Sequence, residues 1–170
     1  RVRWSNTNTP ETWSAEDYVD IDVGEHGDQI TGLVAAGDRL IVFKTNSVYA
    51  IFGFDSDSFQ VVTLSNDVGA VELSSPVNTP VGTFFWHAQE GIYVYDGQSF
   101  TWLFSKLQPA IDNQQITFGS TPQIAWGNNK LYVSLDYSAD AATARRTYIY
   151  DPSLGQGGAW VATDIDAGPL

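Results

Sequence analysis

Cysteine and methionine are both absent from the 170 residues. Without cysteine there can be neither disulfides nor thiolate metal sites, and the redox compartment cannot be read from composition. Methionine is missing even at position 1, which leads to the expectation of a fragment, a processed product or part of a longer chain. Positive charge is scarce: eight Lys and Arg stand against twenty Asp and Glu, a formal charge of −12. That balance argues against wrapping nucleic acid by phosphate neutralisation. It would suit a surface that DNA passes without adhering, but plain solubility and mutual repulsion is the favoured reading. No run of eighteen apolar residues occurs, so no membrane span is predicted, and no basic-then-apolar opening marks a signal peptide.

Aromatics, by contrast, make up 14% of the chain while charged residues make up only 16%. This is the composition of buried sheet, far from that of a disordered chain. Within it the stretch "GDRLIVFKTNSVYAIFG" (37–53) returns forty-four residues later as "VGTFFWHAQEGIYVYDG" (81–97). Laid over each other without a gap, Leu40, Ile41 and Val42 meet Phe84, Phe85 and Trp86, and Tyr49 meets Tyr93. A third copy follows if "KLYVSLDY" (130–137) is the first strand and "TYIYDP" (147–152) the second, with a longer hairpin between them. The tyrosines Tyr49, Tyr93 and Tyr148 are then spaced 44 and 55 residues apart. A period of about 40–50 residues built from short β-branched and aromatic runs is the signature of propeller blades.

The expected fold is therefore all-β and β-propeller-like: about three four-stranded antiparallel blades plus an orphan strand pair, together part of a larger propeller. Residues 1–28 are read as the outer strands of a preceding blade and a loop, with strands at "RVRWS" and from Trp13 onward. Blades follow at 29–66, 74–105 and 122–166, with a connector at 106–121 in which Leu107 to Ile111 can make one helical turn. The continuous apolar runs "LIVF" and "TFFW" predict strands covered on both faces.

Chemistry-bearing motifs are few. The densest carboxylate cluster, "DYVDIDVGEHGD", makes Asp20, Asp22, Glu25 and Asp28 a candidate oxygen cage for calcium. Their spacing fits no EF-hand, and a solvated inter-blade loop is the favoured alternative. His26 and His87 have no zinc-ligand spacing, and His87 is expected to be a hydrogen-bonded structural histidine. No nucleophile elbow occurs, "GQGG" (155–158) lacks the phosphate-loop frame, and no catalytic residue or cofactor is assigned. Twenty acids make some glycosidase-like pair inevitable, so that signal is weak. Trp4, Trp13, Trp102, Trp126 and Trp160 could stack on sugars, although core packing is the default for each.

One combination of motifs is more specific. Arg1, Trp4 and Ser5, then Pro10 and Trp13, then "DQITGL" (28–33), then Leu40, Val42, Phe43, Ser47 and Val48, and finally "GIY" (91–93) follow one another in order. In this the chain resembles the β-propeller tail proteins of tailed bacteriophages, the hub or nozzle proteins of the head-to-tail adaptor region in short-tailed particles. The likeness covers residues 1 to about 105, and the remainder only as blade pattern. The resemblance implies a non-enzymatic structural protein of the virion tail. It implies a homo-oligomeric ring contacting other tail or connector proteins, through which DNA passes without specific binding. Residues 17–28, 106–121 and 138–146 are then candidate contact loops, with Asp140, Arg145 and Arg146 as interface candidates. The alternative from a different class is a carbohydrate-binding or glycan-cleaving propeller that recognises a host surface.

Overall fold

The computed structural model of the chain describes residues 1–6, 8–22, 28–71, 76–106, 122–136, 145–154 and 159–163. Among them every regular element is a strand, apart from one 3₁₀ turn at Phe104–Lys106. β1 (Val2–Arg3) and β2 (Tyr18–Val19) form a two-stranded antiparallel sheet. β3 (Ile30–Ala36), β4 (Arg39–Lys44), β5 (Val48–Phe52) and β6 (Gln60–Ser65) form a four-stranded sheet in chain order. So do β7 (Val77–Thr79), β8 (Gly82–His87), β9 (Gly91–Tyr95) and β10 (Phe100–Trp102). The last sheet comprises β11 (Gln123–Gly127), β12 (Lys130–Asp136), β13 (Arg145–Asp151) and β14 (Ala159–Thr163). All pairings are antiparallel. The protein is thus all-β, and its chain divides into two compact units, 1–69 and 70–170.

The sequence pattern explains which strands lie in the middle. "LIVF" in β4 and "VYAI" in β5 have no polar alternation, and Ile41 through Phe43 and Val48 through Ile51 are buried on both faces. The edge strand β6 is exposed over Gln60–Thr63, as an outer strand with one wet face should be. In the first unit Val2 and Ile21 from the two-stranded sheet region pack on Val42, Tyr49 and Ile51. In the second unit β8 and β9 contribute Phe84, Trp86 and Ile92 to a core completed by Leu131, Val133 and Leu135 of β12 and Tyr148 and Tyr150 of β13. Aromatic contacts stitch that core, including Phe84 stacked on Trp126 at 5.8 Å and Tyr150 against Trp160 at 5.1 Å.

The three tyrosines of the repeat occupy the same place in each sheet, the third strand: Tyr49 in β5, Tyr93 in β9 and Tyr148 in β13. Their cross-strand partners are Val42, Phe85 and Val133. The gapless overlay is therefore off by one on the first strand of the hairpin, since it set Val42 against Trp86. The reason is loop length: β4 and β5 close at Phe43↔Val48 around residues 44–47, whereas β8 and β9 close at His87↔Gly91 around residues 88–90. A one-residue slip exchanges the faces of a strand, and it is accommodated because Phe84, Phe85 and Trp86 are all buried. A second difference lies near the start. β2 begins at Tyr18, not Trp13, because a turn bridged at Asn6 and Thr9 carries the chain onward and leaves Trp13 exposed. The helical turn expected at Leu107 to Ile111 lies outside the described residues.

Candidate functional site

The first unit gathers three of the four candidate calcium ligands around different partners. Arg1 grips Asp20 with Nε to Oδ1 at 2.7 Å and Nη2 to Oδ2 at 3.0 Å, while its guanidinium lies 3.7 Å from the centre of the Tyr18 ring. Those paired hydrogen bonds hold the Asp20 carboxyl below its usual range and raise Arg1 in return. Asp28 braces the β4–β5 hairpin: Oδ2 accepts the Asn46 backbone N–H at 3.1 Å and Oδ1 accepts Asn46 Nδ2 at 2.8 Å. Glu25 lies outside the described residues. Among those described, no three carboxylates or histidines converge as a metal site requires.

Asp22 has a different task, one that neither composition nor spacing revealed. Its Oδ2 accepts the Tyr49 hydroxyl at 2.9 Å and lies 3.8 Å from Nζ of Lys44, whose side chain is 3% exposed. Lys44 also lies 5.6 Å from the centre of the Tyr49 ring. Burial pushes the Tyr49 hydroxyl above its ordinary range, and the adjacent carboxylate adds to the shift. The signal was a lysine inside an apolar run, "LIVFKT", where a buried cation requires a partner.

A second recurrent feature is the turn aspartate. Asp96, at the end of "YVYD", accepts the N–H groups of Gln98 and Ser99, both at 2.8 Å. Asp151, at the end of "YIYD", accepts Ser153 N–H at 3.0 Å and its hydroxyl at 2.6 Å, and pairs with Lys130 at 3.1 Å. Both carboxyls are held below their usual range, Asp96 by the Ser99 and Gln98 N–H groups and Asp151 first by the Ser153 hydroxyl. Asp55 does the same to Ser58 N–H at 2.9 Å in the first unit. The legible signal is an Asp followed two or three residues later by Ser, an Asx-type turn.

In the second unit the Tyr93 hydroxyl donates to Glu90 Oε2, which also lies 3.7 Å from His87 Nδ1. Burial foremost, then Glu90, drives the Tyr93 hydroxyl far above its ordinary value. His87 Nδ1 accepts the N–H groups of Gln89 at 3.4 Å and Glu90 at 3.3 Å, the structural role expected of it. Trp102 donates its ring N–H to the Glu90 carbonyl at 2.6 Å and keeps 39% of its surface exposed. Trp13 is also exposed, whereas Trp4, Trp126 and Trp160 are half-buried. Of the interface candidates, Arg146 is half-buried opposite Leu135. Arg145 begins β13, and Asp140 lies outside the described residues, as do most of 106–121 and 138–144 and all of "GQGG".

A concavity that combines apolar walls with charge lies in the first unit. It is a cleft of about 290 Å³ lined by Val2, Trp4, Leu40, Ile51 and Phe59, with Arg3, Asp38 and Arg39 as its charged members. Arg39 pairs with Asp38 at 3.0 Å and lies 4.8 Å from the centre of the Phe52 ring. Chemically this is a recognition surface: it has fixed guanidinium groups and apolar walls, and no nucleophile beside a base.

No protein-family model matches the chain, and no curated protein matches it either.

Proposed function

We propose that the chain is a structural protein of a bacteriophage tail, a propeller-like scaffold of the hub or nozzle kind around the DNA channel. The observation that carries this reading is the threefold recurrence of a four-stranded antiparallel sheet in chain order, with a buried tyrosine in each third strand. Recurrent sheets of this kind are how propellers are built, each sheet burying against a neighbour what it cannot bury alone. The ordered motifs from Arg1 to Tyr93 support the tail assignment, and the −12 charge suits a surface that DNA must pass. In this reading the sheets supply stiffness, the chain performs no catalysis, and its contacts are with further copies and other tail or connector proteins.

The test is the mass and symmetry of the purified assembly, by light scattering and negative-stain imaging. A hollow ring is the expected result. A compact species that binds or hydrolyses host glycans overturns it.

A second reading rests on Trp102. Its indole is fixed from one side by the Glu90 carbonyl and presents part of its surface to solvent, which suits stacking on a sugar ring. A glycan array settles it: loss of a binding signal in Trp102→Ala supports this reading, and no binding by the wild type excludes it.

A further inference from the structure

The turn after β5 holds an aromatic side chain out into solvent. Phe54 is 95% exposed, by far the most exposed large apolar residue described. Its position is built, not incidental. Ser58 Oγ accepts the N–H groups of Phe54 at 3.0 Å and Asp55 at 3.1 Å, and Ser58 N–H returns to Asp55 Oδ1 at 2.9 Å. Gly53, at φ +126°, turns the chain outward, and a Cβ there would lie 2.6 Å from the Ser58 carbonyl. A ring displayed on a braced turn loses little conformational freedom when it is buried by a partner.

Gly53 is also part of the wall of the 290 Å³ cleft. That volume is at the low end of small-molecule sites, which run from about 300 to 1,000 Å³, and suits a single aromatic side chain better than a glycan chain. Its charged members, Arg3 and Arg39 against Asp38, leave a local balance of +1 in a chain whose total is −12. The Phe54 knob is flanked by Asp55 and the exposed Asp57, the opposite sign. Knob and cleft are thus complementary in shape class, polarity and charge.

We propose that this corner is a self-association site in which Phe54 of one copy enters the cleft of a second copy, its aspartates facing the partner's arginine-bearing rim. Because the knob follows directly on a cleft residue, one two-fold axis can satisfy both exchanges, as an isologous contact requires. Two rings bury on the order of 300–500 Å², well short of the roughly 1,200 Å² of a stable interface. The pairing through this corner alone is therefore weak and concentration-dependent. It is independent of any role in a tail.

Sedimentation equilibrium of the full chain, wild type and Phe54→Ala, tests the contact. The wild type is expected to show a reversible, concentration-dependent association step, in addition to any ring it forms, and excess peptide Gly-Phe-Asp-Ser-Asp-Ser to reverse that step. Phe54→Ala is expected to associate about a hundredfold more weakly, since both rings leave the contact at once, with an unchanged melting temperature because the side chain is exposed. Wild type that stays monomeric to about 1 mM, or a variant that associates equally well, overturns the proposal. A wild type that remains monomeric yet binds the peptide, with NMR shifts at Leu40 and Ile51, assigns the cleft to another protein's aromatic residue and overturns it too.

Discussion

Lys44 Nζ and Asp22 Oδ2 lie 3.8 Å apart with very unequal access to water: the lysine side chain is 3% exposed and the aspartate 24%. The inequality decides what each deletion does. Asp22→Ala strands a buried ammonium and is expected to cost about 3 kcal/mol or more. Lys44→Met keeps the apolar stem and leaves a carboxylate that can reach water and still accept the Tyr49 hydroxyl, so its cost is expected to be about 1 kcal/mol or less. Chemical denaturation of the two variants checks the order; equal losses would refute it.

Thr31 sits at the irregularity between Ile30 and Gly32 in β3, and its Oγ1 is buried without a hydrogen-bond partner among the described residues. A buried hydroxyl in that state is a net cost. Thr31→Val, which keeps the shape and removes the polar atom, is expected to stabilise by about 1 kcal/mol. A thermal scan showing a lower melting temperature than wild type would contradict this.

Gly91 opens β9 at φ +82°, and a Cβ there would lie 2.6 Å from the Phe104 ring, which is fully buried. Gly91→Ala combines left-handed strain of about 1–3 kcal/mol with displacement of that ring, about 1–3 kcal/mol more. The expected loss is about 2–6 kcal/mol. Gly97, also at positive φ but with nothing within 4 Å, is the control, expected to suffer backbone strain alone.

Stability should fall at both ends of the pH scale. Asp20, Asp96 and Asp151 have folded pKa values below the ordinary 3.8, so what they contribute is present above that value and is lost as pH falls through the folded values beneath it. Asp96 is exposed and Asp20 and Asp151 are half-buried, all within reach of solvent screening, so this acid limb is shallow. Tyr49, Tyr93 and Tyr150 are shifted the other way, holding their protons after unfolded tyrosine has lost its own near 10. Their contribution is full below pH 10 and is lost as pH rises beyond it. Urea midpoints across the range test both limbs, and a flat profile from 9 to 12 would sink the alkaline one.

Much of the strand layout was legible, for a physical reason. "LIVFK", "VYAIF", "TFFW" and "GIYVY" are short apolar runs separated by turn residues, a pattern that fits strands covered on both faces. The hairpin at Thr45 and Asn46 carried its own turn signal, and Lys44 N–H closes it on the Ser47 carbonyl at 2.8 Å. Register was not legible, because Phe84, Phe85 and Trp86 are all apolar and offer no alternation to fix a face. Nor were the partners of the aspartates. "DYVDID" reads as one cluster along the chain, yet Asp20 and Asp22 turn to Arg1 and to Lys44 with Tyr49, contacts 19 and 27 residues away in the case of Arg1 and Tyr49. The cleft was equally hidden, since its walls come from β1, β4, β5 and the turn between β5 and β6, places that only the folded chain brings together.

In each four-stranded sheet the spatial order of strands is the order of the chain, with no strand crossing over another. Every pairing is therefore made with the segment just synthesised, and the entropy lost in closing each loop is small. Low sequence separation of contacts favours rapid folding. A nascent chain emerging at about 5–20 residues per second can complete β3 to β6 before β11 has left the ribosome. Few sticky, half-paired edges then wait for distant partners, which matters for a protein rich in apolar strands.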